Sequence, residues 1–191
     1  MLLLLASLSW ASSSDWRPRY LSGLSLFQSY RTNINLDTVT VNYDFYYQDV
    51  IINPPYKQEK VDLLIKQSFS LSIKKMQSLG VTRSDCKQGL KVNIIQIDGN
   101  TLNDDTRFGA WKSINGPKLR TMYGIYDPTP ESDDDSVLLF SLAAPSSDVV
   151  LVHEMAHYWY DRFCVYNNSS IKTEEFAKSV ESAYLLGGLQ D

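Results

Sequence analysis

The chain has 191 residues, 43% of them hydrophobic, and no internal repeat, so it reads as one domain with enough apolar mass for a core. Its 18 basic and 22 acidic side chains leave a net charge of −4, which gives no electrostatic attraction to nucleic acid or to anionic membranes.

In chain order, residues 1–14 come first. Leu2, Leu3, Leu4 and Leu5 form an apolar run followed by small residues, with Ser9-Trp10-Ala11 as a small-x-small cleavage site. This is the pattern of a secretory signal peptide, too short to span a bilayer, and it leaves residues 15–191 as a single exported domain. The run lacks a basic stretch ahead of it, so a truncated start and a buried amino-terminal strand stay open as alternatives. Residues 38–47 alternate, with Val39, Val41, Tyr43, Phe45 and Tyr47 on one side and Thr40, Asn42, Asp44 and Tyr46 on the other. That alternation predicts a half-buried strand, ended by Asn53-Pro54-Pro55. Residues 57–79 predict a helix, with Val61, Leu64, Ile65, Phe69, Ile73 and Met76 at helical spacing and Gly80 as its stop.

Further strands are expected at residues 90–97, 119–126 and 136–142. Residues 98–117, rich in Asn, Asp and Gly, predict a loop near a cleft. Asp133-Asp134-Asp135 offers clustered oxygens of the kind calcium takes, but not the ligand spacing of a defined calcium loop; a solvated loop is the plainer reading. Cys86 and Cys164 suit an exported protein as a disulfide pair, or else stand as two buried thiols.

Both histidines of the chain fall in one pentapeptide, His153-Glu154-Met155-Ala156-His157. Residues four apart on a helix differ by about 40° in azimuth and one turn in height, so two imidazoles can converge on one cation with Glu154 beside it as a base. Ser146 or Ser147 suits the N-cap, and Asp148 the positive end of the helix dipole. Val149, Val152, Ala156, Trp159, Tyr160 and Phe163 form one apolar stripe, with both histidines along its margin and Tyr158 and Arg162 on the far side. This phase places the histidines at the edge of a cleft. Cys164 is close to His157 in azimuth but about 10 Å further along the axis, too far to share its metal.

A catalytic zinc takes three protein ligands and keeps one position open. No other histidine exists, so a carboxylate has to be the third. Residues 172–181 predict the first turns of a second helix, packed through Phe176, Ala177, Val180, Ala183 and Tyr184. Glu174 and Glu181 are seven apart and flank that face. Glu175 projects roughly 140° from its centre, which makes Glu174 the expected ligand and Glu175 a solvent residue.

At these residues the sequence resembles the gluzincin metallopeptidases, which include thermolysin-like enzymes and the aminopeptidase N family. His153-Glu154-Met155-Ala156-His157-Tyr158-Trp159-Tyr160 is similar to the HELAHxWF segment of the aminopeptidase N family, tryptophan included. Thr173-Glu174-Glu175-Phe176-Ala177-Lys178-Ser179-Val180-Glu181 is similar to its NEGFAxxxE segment, whose first glutamate is the third zinc ligand. The resemblance implies zinc on His153, His157 and Glu174, Glu154 as base, and Glu181 as the later glutamate. It covers two short segments. The interval from His157 to Glu174 is two residues shorter than in that family, so the connecting loop must differ. No GxMEN segment is present to bind a free amino terminus; Phe108-Gly109-Ala110-Trp111 echoes it faintly and lacks the glutamate. No histidine follows His157 to assist the transition state, as one does in thermolysin-like enzymes.

The expected fold is α+β and zincin-like, a small sheet packed on an active-site helix and a following glutamate helix. The expected function is a secreted zinc endopeptidase acting on peptides or proteins. Tyr184 is the nearest candidate for an oxyanion donor, with core packing as its other reading. Asp161, one turn past His157, is a candidate to orient that imidazole, and Glu181 to support the site. Two further readings stand beside this one. The first is a non-catalytic zincin-like module, and the second a latent form with residues 15–36 over the cleft.

Overall fold

A computed structural model describes residues 25–34, 39–47, 55–82, 91–98, 124–127, 134–140 and 147–187. Alternation at the sequence level becomes burial in β2 (Val39–Tyr47), where Val39, Val41, Tyr43 and Phe45 are fully buried and the residues between them are partly exposed. Before it, β1 (Ser25–Ile34) pairs antiparallel with β2 along its whole length. No strand was expected at these residues. Leu26 and Phe27 are both exposed on it, and the register shifts between Leu26 and Gln28, so no clean alternation survives. Of residues 15–36, which the latent reading lays over the cleft, residues 25–34 are a sheet strand and the others lie outside the described residues.

α1 (Gln58–Ser78) links β2 to β3 (Lys91–Asp98), which run parallel and need such a crossover. Gly80 ends the helix as expected: its φ of +68° lets Val81 N–H reach the Met76 carbonyl. β3 is central, and its residues from Val92 to Ile97 are buried on both faces. The two amides among them are satisfied: Asn42 donates to Asn93, and the Tyr43 hydroxyl to Gln96. β4 (Gly124–Asp127) and β5 (Asp134–Phe140) complete a five-stranded sheet of order β1-β2-β3-β5-β4, with β5 parallel to β3 and β4 antiparallel to β5.

β5 starts inside the acidic run. Asp135 is 2% exposed and accepts a hydrogen bond from Tyr126, so Asp134 and Asp135 are strand residues and not the solvated loop expected of them. A tertiary donor overrides the local preference for a turn.

α2 (Ser147–Arg162) carries both histidines and is enclosed by α1, β4, β5 and α4 (Thr173–Leu185). Tyr158 and Arg162, expected on the side away from the apolar stripe, are nevertheless each only 2% exposed. The sheet covers this side of the helix: Tyr158 meets Tyr126 of β4 edge-on, with ring centroids 6.3 Å apart. Ser68 and Ser72 of α1 are buried, and the Ser68 hydroxyl donates to the Val152 carbonyl at 3.0 Å, so small side chains let α1 lie close to α2. Phe69 meets Trp159 edge-on at 5.1 Å.

Cys164, at φ 50°, ends α2, and it is disulfide-bonded. The one-turn α3 (Val165–Asn168) then turns the chain, and Tyr160 donates to the Ile171 carbonyl at 2.8 Å to hold the connection. This compact link answers the short interval between His157 and Glu174. α4 returns over α2 and α1 on Phe176, Ala177 and Val180. Among the described residues no helix is long and apolar enough to cross a membrane. Asp98, the first residue of the expected loop, ends β3, while residues 1–14, Cys86, 99–117 with the 108–111 echo, and Asp133 lie outside the described residues.

Candidate metal centre

His153 and His157 stand one turn apart on α2, and the first turn of α4 brings Glu174 to meet them. The two Nε2 atoms face each other at 3.2 Å, and Glu174 Oε2 lies 3.7 Å from His153 Nε2 and 3.4 Å from His157 Nε2. Among the described residues these three form the group able to hold a metal ion. Glu175 is exposed and outside it.

The outer nitrogens are also engaged. His153 Nδ1 is 2.7 Å from Glu181 Oε2, and His157 Nδ1 is 2.7 Å from Thr173 Oγ1. An ionised carboxylate only accepts, so Glu181 fixes His153 with its proton on Nδ1, and the Thr173 hydroxyl can hold the second ring the same way. Both Nε2 lone pairs then turn inward and repel at 3.2 Å, a repulsion that a cation between them removes. The donor set thus fits a metal ion.

Burial, and then the neighbouring His153, lower His157 to a pKa of about 4, so it is neutral at pH 7, the form that ligates. Burial acts to raise Glu174. Lys178, 3.1 Å from Oε1, and the two imidazoles outweigh that and hold it below the ordinary carboxylate range. Lys178 takes one oxygen and leaves the other facing the histidines.

Glu154 is 8% exposed. Burial pushes its carboxyl up to about 8; the N–H of Tyr126, donating to it, opposes this, while Glu174 and Glu181 add to it. β4 provides that N–H and closes tightly on the helix. A Cβ on Gly124 would lie 2.5 Å from Val150 Cγ1 and 2.8 Å from Glu154 Cγ, so only glycine allows this approach.

Glu181 is where the sequence placed it. Asp161 is not: the outer nitrogen of His157 faces α4 and belongs to Thr173, while Asp161 is hydrogen-bonded to the Tyr126 phenol. Tyr184 does not reach the centre either. It lies near Asp148 and Lys60, ten residues past Glu174, which is about 15 Å along the helix. Thr173 went unforeseen; its only signal was its place immediately before the candidate ligand Glu174, where the similar segment has asparagine. Tyr126 also went unforeseen, although a lone glycine two residues before it in an expected strand hints at a close backbone approach. No family model matches the sequence, and no curated protein matches it.

Proposed function

We propose that the protein is an exported zinc-dependent peptidase of the gluzincin type, hydrolysing internal peptide bonds on a zincin-like fold. The observation that carries this reading is the convergence of His153 Nε2, His157 Nε2 and Glu174 Oε2, none more than 3.7 Å from another, beside a buried glutamate. Imidazole nitrogens at about 2.0–2.1 Å from one tetrahedral ion stand about 3.3 Å apart, close to the spacing found. Two imidazoles and one carboxylate are also a donor set used by catalytic zinc.

When bound, zinc supplies a Lewis acid that activates water near neutral pH and polarises the scissile carbonyl. Among the described residues no fourth protein group joins the three, which favours an open position and catalysis over a closed structural site. Glu154 would take the proton of the attacking water and pass it to the leaving amine, the bound cation offsetting the burial that otherwise raises its carboxyl. β4 is the outermost strand among those described and runs against Glu154, so its edge away from β5, apart from the Tyr126 N–H given to Glu154, is placed to offer main-chain hydrogen bonds to an extended peptide. The disulfide at Cys164 supports export to an oxidising compartment. The missing GxMEN segment favours internal over amino-terminal bonds.

The test is hydrolysis of a peptide library at neutral pH by zinc-loaded protein and its Glu154→Gln variant. The variant is expected to keep fold and zinc but lose hydrolysis, because the amide is nearly isosteric and cannot accept the proton. Full activity in the variant removes Glu154 as base. Zinc retained with no hydrolysis by either protein turns the reading to a non-catalytic zinc module.

A further inference from the structure

Tyr126 of β4 meets the histidine helix in three ways. Its N–H donates to the Glu154 carboxyl. Its ring lies parallel to the imidazole of His157, with centroids 6.4 Å apart and planes 2° from parallel. Its phenol donates its one proton to Asp135 Oδ2 at 2.9 Å and shares it with the Asp161 carboxylate. Glu154, His157 and Asp161 are three and then four residues apart, so they form one stripe of α2, and Tyr126 lies along it. Asp135 anchors the same phenol to the sheet from the neighbouring strand. Burial and the two carboxylates keep the phenol protonated, hence a permanent donor.

We propose that Tyr126 is a positioning residue: tied to β5 by Asp135 and to α2 by Asp161, it sets the spacing between sheet and helix and, through its main-chain N–H, holds the Glu154 carboxyl beside the histidine pair. The proposal rests on the reading of Glu154 as the base. It also gives Asp161 a task different from the orientation of His157.

The test measures amide hydrogen exchange at Tyr126 in metal-free protein, and kcat and KM in zinc-loaded protein, for Tyr126→Phe, Asp161→Ala and Asp161→Asn. Tyr126→Phe and Asp161→Ala are expected to speed exchange at Tyr126 by at least about tenfold while the Ile94 and Ile95 amides of β3 stay as they were. In the same two variants kcat falls by about ten- to a hundredfold with little change in KM, the mark of a displaced base and not of lost substrate binding. Asp161→Asn keeps a hydrogen bond to the phenol, its amide N–H donating to the phenol oxygen, and restores both quantities, which keeps the test open if Tyr126→Phe does not fold. Unchanged exchange in both disrupting variants overturns the proposal, and so does faster exchange with unchanged kcat. If no form of the protein hydrolyses peptide yet exchange follows the expected pattern, the anchoring by Tyr126 stands and the peptidase reading is what fails.

Discussion

The two helices that supply the candidate ligands are held in different ways. α2 is enclosed by four other elements, and around its histidines Val152, Met155, Ala156 and Trp159 are buried. α4 buries one face and leaves the Glu174 side chain 55% exposed, against 15% for His153 and 13% for His157. The histidine pair is therefore preset by the core, where side chains have no room to relax. The carboxylate is set by local contacts, chiefly Lys178 and the start of the helix, and keeps freedom to adjust. A centre built this way combines two rigid donors with one that can follow the ion.

Removing a rigid donor should have the largest effect. His153→Ala or His157→Ala is expected to weaken zinc binding by more than about a hundredfold, because the remaining pair cannot move to compensate and losses of outer contacts alone typically cost about 10- to 100-fold. Competition with a chromogenic chelator measures this. Near-normal affinity in either variant would break the comparison, since it would mean that the core does not fix the site. Metal-free protein recovered from zinc-supplemented solution without chelator would remove the zinc reading altogether.

The exposed donor should matter less, but its neighbour should not matter at all. Glu174→Ala is expected to cost at least about tenfold in zinc affinity, as a lost direct contact, and Glu175→Ala to leave it nearly unchanged. Zinc titration of the two variants side by side decides the helical phase. The reverse pattern would put Glu175 on the metal and rotate α4 from the position found for it.

The same contrast explains what was legible in the sequence. Periodicity reports burial wherever one face of an element is covered, and so β2, α1 and α4 could be read with their faces. It fails for an element covered on all sides: Tyr158 and Arg162 fall outside the apolar stripe of α2, yet both are buried. It fails also at an edge such as β1, where Leu26 and Phe27 face outward. Asp135 was unreadable for another reason, because its partner is the phenol of Tyr126 on a separate strand and no local pattern announces that pairing. In the site, His153, His157, Glu174 and Glu181 were legible because helical phase alone relates the members of each pair. Thr173 and Tyr126 act through the turn around α3 and the approach of β4, which only the assembled chain defines.

The smallest effects should separate the two outer contacts of the histidines. Glu181 is a partly buried carboxylate that accepts from His153, and a charged acceptor raises the basicity of a ligating imidazole as well as orienting it. Thr173 is an exposed neutral hydroxyl at the first turn of α4. Glu181→Gln keeps an acceptor and loses the charge, so zinc affinity is expected to fall by about tenfold. Thr173→Val keeps the shape and loses the oxygen, but water reaches this position and can replace the hydrogen bond, so a fall of only a few-fold is expected. Isothermal titration with zinc under one buffer condition ranks the two. If Thr173→Val proved the more damaging, orientation of His157 by the first turn of α4 would outweigh charge on the buried side, and the division into preset histidines and an adjustable carboxylate would have to be drawn between His153 and His157 instead.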